Sequence, residues 1–260
     1  MILLYEHPLS PYAQKVKILL LEKGLPFEVR MPGPADLGPG SDFAKASPRG
    51  EVPVLLDGET RIFDSSIIAE YLEDAYPEPT MRAKSAAERA RVRMLEDTCD
   101  TIFEAVNWAV GEIVAWGRAE GELREKLLAR AAQQVAGIHR WLERELGARR
   151  FFNGEAFGFG DACVYPFLAG AAGQGNPPPA GTRLADWFGR MLARPSVARC
   201  VADIAPVMTG FEQLPGLLAQ GLFKREYRDH RLEWMLRSGG VEIVLAGMAK
   251  NNIRFSHEPT

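Results

Sequence analysis

The fold is decided near the start of the chain by the stretch Pro8-Leu9-Ser10-Pro11-Tyr12-Ala13-Gln14-Lys15-Val16-Lys17-Ile18-Leu19-Leu20. The apolar run before it, Met1 to Tyr5, is too short for a helix and is typical of a buried strand. Ser10 is a favourable N-cap, and Pro11 fits the first helical position, where a missing N–H has no consequence. The stretch therefore predicts a strand, a tight loop and a helix that begins at Ser10-Pro11.

The hydroxyl of Ser10 is expected at the positive end of this helix. An anion such as a thiolate or a carboxylate is stabilised there by the helix dipole and by free backbone amides. Two interpretations of Ser10 follow: it is only a helix cap, or it also binds an anionic reactant.

The bulk composition excludes several classes of function. The chain has 260 residues, of which 47% are hydrophobic and 25% charged, with a net charge of -3. This charge provides no basic field for nucleic acid, and no basic run is interleaved with aromatic residues. No apolar run approaches the roughly 20 residues that cross a bilayer, and Met1 leads into a strand without a basic leader. We therefore expect a cytoplasmic protein whose partners include neither nucleic acid nor a membrane.

The cysteines and histidines do not form a metal-binding pattern. Cys99, Cys163 and Cys200 are widely spaced in helical contexts, which predicts buried free thiols rather than disulfides or a metal cluster. The histidines also lack metal-ligand spacing and are expected in solvated or loop positions: His7, His139, His230 and His257. No metal is therefore expected.

The segments after the first helix continue an α/β pattern. Residues Pro26 to Arg30 are predicted as a second strand, parallel to the first because a helix connects the two. A loop rich in Pro and Gly follows over 32–41, with a short helical turn near Asp42. The next segment predicts a hairpin with Asp57-Gly58 as its turn and Pro53 at the start of its first strand.

A change of pattern divides the chain into two domains. Asp64 or Ser65 is predicted to cap a helix after the hairpin, and Pro77 lies at its end. From Arg82 onward the periodicity is helical throughout. We therefore predict an α/β domain over 1–77 and an all-helical domain over 82–260, with a C-terminal extension from about 210.

The helical domain is predicted to contain five helices before that extension: 83–116, 121–146, 161–173, 187–192 and 196–204. Gly158 is predicted as the cap of the third, with Asp161 reaching back to its amide as in a capping box. Asp161 is therefore interpreted as structural rather than catalytic.

Three features in this order resemble the glutathione transferase family: Ser10-Pro11-Tyr12, Val52-Pro53 and Asp64-Ser65. The resemblance extends to about Ile204 and implies a thioredoxin-like N-terminal domain followed by an all-helical C-terminal domain. The segment Phe157 to Asp161 looks like the family's capping box, with glycine where serine or threonine is more usual.

The resemblance implies a role for each residue. Val52 would pair its backbone with the cysteinyl part of glutathione, next to a cis Pro53. Asp64 and Ser65 would hold the γ-glutamyl end, and Ser10 would donate a hydrogen bond to the sulfur. Such a bond lowers the pKa of the thiol, and the thiolate is the nucleophile.

The first helix is most similar to that of the omega class, which carries cysteine in place of Ser10, and to the serine-using tau and theta-like classes. A hydroxyl cannot form mixed disulfides, so conjugation is favoured over thiol transfer. Tyr5 and Tyr12 remain rivals of Ser10 because other classes use tyrosine.

One contact implied by the family has no clear counterpart. A lysine often precedes the hairpin and reaches the glycine carboxylate, but this chain has Pro39-Gly40-Ser41 there. Lys45 and Arg49 are the candidate substitutes.

The electrophile is expected against the first helix of the helical domain. The candidate wall residues are Tyr12, Phe103, Asn107, Trp108 and Tyr165. Each has an alternative interpretation as core packing, because aromatic residues at helical spacing usually face the core. As a set they predict an apolar pocket that accepts aromatic groups.

Together these expectations describe a glutathione transferase that uses glutathione as co-substrate against a small apolar electrophile, without a metal. The resemblance also implies a homodimer. Two alternatives stay open: a lyase, isomerase or dehalogenase that uses the same thiolate on one metabolite, and a non-catalytic binding or scaffold protein. The extension after about 210 is expected to be a lid or part of the dimer interface.

Overall fold

A four-stranded sheet with three helices forms the first part of the structure. The computed structural model describes residues 1–33, 36, 38, 40–209, 214–220 and 224–255, so Pro39, Gly210 and His257 lie outside the described residues. The elements are β1 (Ile2–Tyr5), α1 (Pro11–Glu22), β2 (Phe27–Arg30), α2 (Asp42–Ala46), β3 (Val54–Asp57), β4 (Thr60–Phe63) and α3 (Ser65–Ala75).

The sheet has the strand order β2-β1-β3-β4. Strands β1 and β2 are parallel, whereas β3 is antiparallel to both β1 and β4. The predicted strand-helix-strand unit and the predicted hairpin are therefore confirmed, and with them the thioredoxin-like arrangement of this part.

The remainder of the described chain is mainly helical. After a stretch without regular structure over 76–85, the helices are α4 (Ala86–Thr98), α5 (Glu104–Val114), α6 (Gly121–Leu146), α7 (Phe159–Gly173), α8 (Arg183–Leu192), α9 (Pro195–Ala202) and α10 (Ile204–Met208). The C-terminal extension adds α11 (Leu214–Ala219), β5 (Arg225–Glu226), α12 (Asp229–Arg237), α13 (Val241–Ala249) and β6 (Ile253–Arg254). No described helix is both long and apolar enough to cross a bilayer.

The predicted helix over 83–116 is interrupted by a π-helical segment, Cys99–Phe103. At its end the amide of Glu104 donates to the carbonyls of Cys99 and Thr101 but not to the carbonyl of Asp100. The hydroxyl of Tyr12 donates to the Asp100 carbonyl at 2.6 Å. The interruption thus presents a backbone acceptor to the first domain, and Tyr12 satisfies it.

One hydrophobic core joins the sheet, the helices and the extension. Leu4 and Leu19 of the first domain belong to the same cluster as Trp187 of α8 and Tyr227 and Trp234 of the extension. Because the two domains share this core, the division at 77–82 stays a prediction about the chain's organisation.

A buried lysine also holds the two domains together. Lys15 is fully buried on α1, and its ammonium donates to Glu96 and Asp100, each at 2.8 Å. The hydroxyl of Ser66, on α3, donates to the same Glu96 carboxylate at 2.6 Å. Removing one member of such a cluster leaves an unpaired buried charge and costs about 3–5 kcal/mol.

The predicted capping box at the start of α7 is confirmed, and the structure explains its glycine. Asp161 accepts from the amides of Gly158 at 3.0 Å and Phe152 at 2.8 Å, and from the indole N–H of Trp187 at 2.8 Å. A Cβ on Gly158 would lie 2.1 Å from the Asn153 side chain and 2.7 Å from the Met81 carbonyl. No serine or threonine fits there, so Asp161 caps the helix alone.

Candidate active site

The strand register brings three predicted site segments to one end of the sheet. Tyr5 of β1 pairs with Val54 of β3, and Val54 pairs with Phe63 of β4. The loop that follows Tyr5 leads to Ser10, Val52 lies two residues before Val54, and Asp64 follows Phe63 directly. Neighbouring strands lie about 5 Å apart, so these segments share one edge of the sheet. We call the site formed by Ser10, Val52, Asp64 and Ser65 the sheet-edge cleft.

Ser10 caps α1 as predicted. Its backbone is extended, with φ -80° and ψ 114°, and its hydroxyl oxygen accepts from the Ala13 amide at 3.3 Å. The loop before it is held by the Gln14 side chain, which donates to the Pro8 carbonyl at 2.7 Å. The Ser10 hydroxyl proton takes no part in the cap, so it is available to a ligand atom beside the helix N-terminus. The sequence analysis missed this contact of Gln14 with the loop that leads to Ser10.

Val52 and Pro53 lie at the centre of the cleft. The Val52–Pro53 peptide is cis, and Pro53 is buried beneath a half-buried Val52. The backbone N–H and C=O of Val52 form no hydrogen bond with another described residue. Since buried or half-buried backbone groups are normally paired, this segment presents a donor and an acceptor to an extended ligand.

Asp64 and Ser65 begin α3 at the other side of Val52. Asp64 is the N-cap, with φ 74°, and its carboxylate accepts from the Ser66 amide at 2.9 Å and the Ile67 amide at 3.4 Å. A non-glycine residue in this left-handed region is uncommon and often marks a functional site. Ser65 is the first helical residue and is 4% exposed. Of the two predicted caps, Asp64 or Ser65, the structure has Asp64 as the N-cap of α3.

Arg49 and Lys45, the two candidate substitutes for the missing lysine, lie in different surroundings. The guanidinium of Arg49 lies 3.9 Å from Asp64 and packs over the Phe63 ring, so it belongs to the Asp64 side of the cleft. Lys45 is exposed on α2. A third cation comes from the extension: Arg228 donates to both oxygens of Glu51, the neighbour of Val52, at 2.9–3.0 Å.

Tyr5 and Tyr12, the alternatives to Ser10, each contact other residues of the protein. Tyr5 is 2% exposed and packs against Phe43, with ring centroids 5.2 Å apart. Tyr12 donates to the Asp100 carbonyl. Burial, with the charges of Glu104 and Asp100, raises the pKa of Tyr12 well above its usual value, so this phenol stays protonated.

Two of the five predicted wall residues, Phe103 and Tyr165, are buried among other aromatic rings. Phe103 is fully buried and lies between the rings of His139 and Phe167. Tyr165 is 1% exposed and stacks on Phe188. The structure thus places Phe103 and Tyr165 in the helical core, because their side of each helix faces other helices.

The C-terminal extension packs against α5, the helix that carries Asn107 and Trp108. The ring of Tyr227 packs edge-on against Trp108 at 4.7 Å between centroids, and Arg231 lies over Trp108 while pairing with Glu104. The amide of Asn107 donates to the Phe167 carbonyl at 2.8 Å. Residues of the extension therefore contact Trp108 and Glu104 of α5, and no sequence pattern connected them with this helix.

The cysteine prediction is confirmed and the histidine prediction is partly wrong. All three cysteines are buried free thiols, and burial raises the pKa of Cys200 to about 12. His139 is not in a loop: it lies on α6, 5% exposed, because it occupies the apolar stripe of that helix. No group of His, Cys, Asp and Glu in the described part of the chain is arranged to hold a metal.

Comparison with known proteins agrees with this geometry. Residues 4–80 match the model for the glutathione S-transferase N-terminal domain, and residues 125–190 match that for the C-terminal domain. Glutathione S-transferase U28 of Arabidopsis thaliana is 32% identical over 163 residues, which are 62% of this chain and 68% of that protein. The chain belongs to the glutathione S-transferase family. It is accordingly a transferase with the fold of that family.

Further similarities extend over more of the chain. Glutathione S-transferase 3 of Zea mays is 29% identical over 77% of this chain and 93% of its own length. The crystal structure of rice GST1 in complex with glutathione has a TM-score of 0.66 and 28% identity, and covers 83% of this chain and 98% of that chain. A glutathione S-transferase from Rhodospirillum rubrum has a TM-score of 0.66, with 27% identity over 77% of this chain and 91% of its own.

Proposed function

We propose that the chain is a glutathione transferase in which the Ser10 hydroxyl stabilises the thiolate of glutathione for attack on an apolar electrophile. The observation that carries this proposal is the convergence of Ser10, Val52 and Asp64 at one end of the sheet. An extended tripeptide laid across Val52 would place its ends on either side of that residue. Its sulfur would then face the N-terminus of α1.

The γ-glutamyl end is assigned to the Asp64 side of the cleft. The Asp64 carboxylate is suited to an ammonium group, whereas the Ser65 hydroxyl and amide, at the positive end of α3, are suited to a carboxylate. The backbone of Val52 would pair with the cysteinyl residue of glutathione.

Catalysis is assigned to activation of the thiol and to proximity. The Ser10 oxygen accepts from Ala13, and its proton donates to the sulfur, which favours the ionised form and lowers the pKa of the thiol. The thiol proton passes to solvent, and the thiolate forms a carbon–sulfur bond while the leaving group departs with its electron pair. Tyr12, Asn107 and Trp108 are proposed to contact the electrophile, and two chains are proposed to form a homodimer.

The test is conjugation of glutathione to 1-chloro-2,4-dinitrobenzene, with glutathione affinity measured by calorimetry. For Ser10→Ala we expect kcat to fall roughly 10- to 100-fold, as for a lost hydrogen bond to a charged group, with little change in glutathione affinity. Ser85→Ala is the matched control, because Ser85 caps α4 in the same way, accepting from Glu88 at 3.1 Å, away from the cleft. A wild type that binds no glutathione, or a Ser10→Ala variant as active as Ser85→Ala, would contradict the proposal.

A further inference from the structure

Four residues join β1 to Ser10, the N-cap of α1. Glu6 continues the pairing of β1, since its amide donates to the Arg30 carbonyl at 3.0 Å. The chain then makes a turn over 7–10, which is closed by the Ser10 amide donating to the His7 carbonyl at 2.8 Å. We call residues 7–10 the His7 turn. The position of Ser10 relative to the edge of the sheet depends on this turn.

His7 accepts from both amides of the turn. Pro8 has no N–H, so the amides that precede α1 are those of Leu9 and Ser10. The Ser10 amide donates to the backbone carbonyl of His7, and the Leu9 amide donates to its ring nitrogen Nδ1 at 3.2 Å. Among the described residues the Leu9 amide has no other acceptor. The ring of His7 thus completes the turn in the way that an asparagine or aspartate side chain does in many turns.

The acceptor role requires one protonation state of the His7 ring. A neutral imidazole with its proton on Nε2 has a lone pair on Nδ1, whereas the imidazolium ion donates from both nitrogens. His7 is half-buried, and burial lowers its pKa, so the ring is neutral at pH 7. The hydrogen bond from Leu9 then assigns the ring proton to Nε2.

The His7 turn is also tied to α1. The side-chain amide of Gln14 donates to the Pro8 carbonyl at 2.7 Å, and its backbone amide donates to the Ser10 carbonyl at 2.9 Å. Pro8 occupies the second position of the turn, where its fixed φ angle is favoured. Because the carbonyl of Pro8 and the amides of Leu9 and Ser10 are all bonded, the turn has few alternative conformations.

We propose that His7 is a positioning residue, whose ring fixes the backbone before Ser10 and so directs the Ser10 hydroxyl toward the sulfur of glutathione. This inference rests on the proposed role of Ser10, since His7 is assigned no contact with the reactants. A hydrogen bond to a thiolate depends on both distance and angle, so a displaced turn weakens it. Loss of the His7 acceptor therefore slows the reaction more than it weakens glutathione binding, which is assigned to Val52 and Asp64.

The test compares His7→Asn with His7→Leu. The two new side chains have the same branched shape, but only that of asparagine carries an oxygen at the position of Nδ1. In the conjugation of glutathione to 1-chloro-2,4-dinitrobenzene, we expect His7→Leu to lower kcat roughly 10-fold, as for one lost hydrogen bond, and to change the KM for glutathione less than about 2-fold. His7→Asn should stay within about 2-fold of the wild type, because its oxygen accepts from the same amide. Circular dichroism confirms that both variants are folded.

A second comparison shows whether His7 acts through Ser10. If it does, His7→Leu has no further effect on kcat in a Ser10→Ala background, because the hydroxyl that the turn directs is gone. In the binary complex, the pKa of the glutathione thiol should rise in His7→Leu and keep its wild-type value in His7→Asn. A merely structural role predicts the same loss of kcat in both backgrounds and an unchanged pKa.

These measurements distinguish a failure at His7 from a failure of the proposed function. Wild-type activity of Ser10→Ala would overturn both. The role of His7 alone is overturned if Ser10→Ala is slow while His7→Leu is normal, if His7→Leu and His7→Asn lose activity equally, or if the losses in the two backgrounds are the same. Nitrogen NMR of the labelled wild type needs no variant, and a proton on Nδ1 rather than on Nε2 at neutral pH would also overturn it.

Discussion

At Ser10 a single hydroxyl has one role that the structure shows, the helix cap, and a second that we propose, the stabilisation of a thiolate. Its lone pair accepts from the Ala13 amide at 3.3 Å, which is the ordinary task of a cap. Its proton makes no hydrogen bond within the cap, so it is free to donate to a ligand atom beside the helix N-terminus. The cap was predictable from Ser10-Pro11, but the position of the hydroxyl beside Val52 depends on the register of β1 and β3.

Replacing the hydroxyl by a thiol tests where the glutathione sulfur lies. In Ser10→Cys the new thiol occupies a helix N-terminus, which lowers the pKa of a cysteine. We expect oxidised glutathione to give a mixed disulfide with one released glutathione, at a rate that saturates with concentration because the reagent binds in the cleft first. Mass spectrometry measures the adduct.

Ser85→Cys provides the comparison for that experiment, since Ser85 is an exposed cap of another helix. Its rate should rise linearly with concentration, because no binding site precedes the reaction. The native cysteines should stay unmodified, since all three are buried. Identical linear behaviour of the two variants would place the sulfur away from Ser10.

At the scale of elements, the extent of a helix was predictable where its apolar spacing is regular and a capping residue, proline or glycine marks its ends. The long helix α6, Gly121–Leu146, was predicted with its full extent because its apolar stripe is regular and glycine follows it. The π-helical segment Cys99–Phe103 was missed because its residues continue the helical spacing of their neighbours. Within this segment the Asp100 carbonyl accepts from Tyr12, a residue 88 positions earlier, and helical spacing gives no sign of this tertiary contact.

The glycine of the α7 cap permits a stability prediction. In Gly158→Ala the added Cβ meets the Asn153 side chain at 2.1 Å and the Met81 carbonyl at 2.7 Å. Overpacking of this kind costs about 1–3 kcal/mol, to be measured as the free energy of unfolding in urea. Gly173→Ala, in the last turn of the same helix, meets nothing within 4 Å and should be neutral or slightly stabilising. Equal stability of the two variants would contradict this account of the cap.

At the scale of the whole molecule, the C-terminal extension returns to the proposed active site. Arg228 pairs with Glu51 across 177 positions of sequence, and Tyr227 and Arg225 both bond to the fully buried Glu112. The helices of the extension pack on the core that the two domains share, with Trp234 and Ile243 buried in it. Their place beside Val52 was not predictable, because an isolated arginine and an isolated glutamate carry no information about pairing over that distance.

The contact between Glu51 and the extension should depend on pH. Burial and the neighbouring Glu226 raise the pKa of Glu51 to about 7, whereas Arg228 and Arg231 oppose that rise. When the extension is docked, the Glu51 carboxyl keeps its proton up to a pH of about 7. When the extension is undocked, Glu51 loses that proton near its usual, lower pKa. Docking is favoured at low pH, and this contribution is lost as the pH rises through about 7.

Hydrogen exchange of residues 225–237 measures this dependence. We expect stronger protection at about pH 5.5 than at about pH 8, after correction for the intrinsic exchange rate. Glu51→Gln should show protection that does not change over this range. Stronger protection of the wild type at the higher pH would show that the sign is wrong.

The central claim is that Ser10 stabilises the thiolate of bound glutathione. The most direct measurement is the ultraviolet absorbance of the thiolate in the binary complex, titrated against pH for the wild type, Ser10→Ala and Ser85→Ala. A free cysteine thiol has a pKa of about 8.5. We predict a pKa at least about one unit lower in the wild type and in Ser85→Ala, and a return toward the free value in Ser10→Ala. The same pKa in all three complexes would contradict the account.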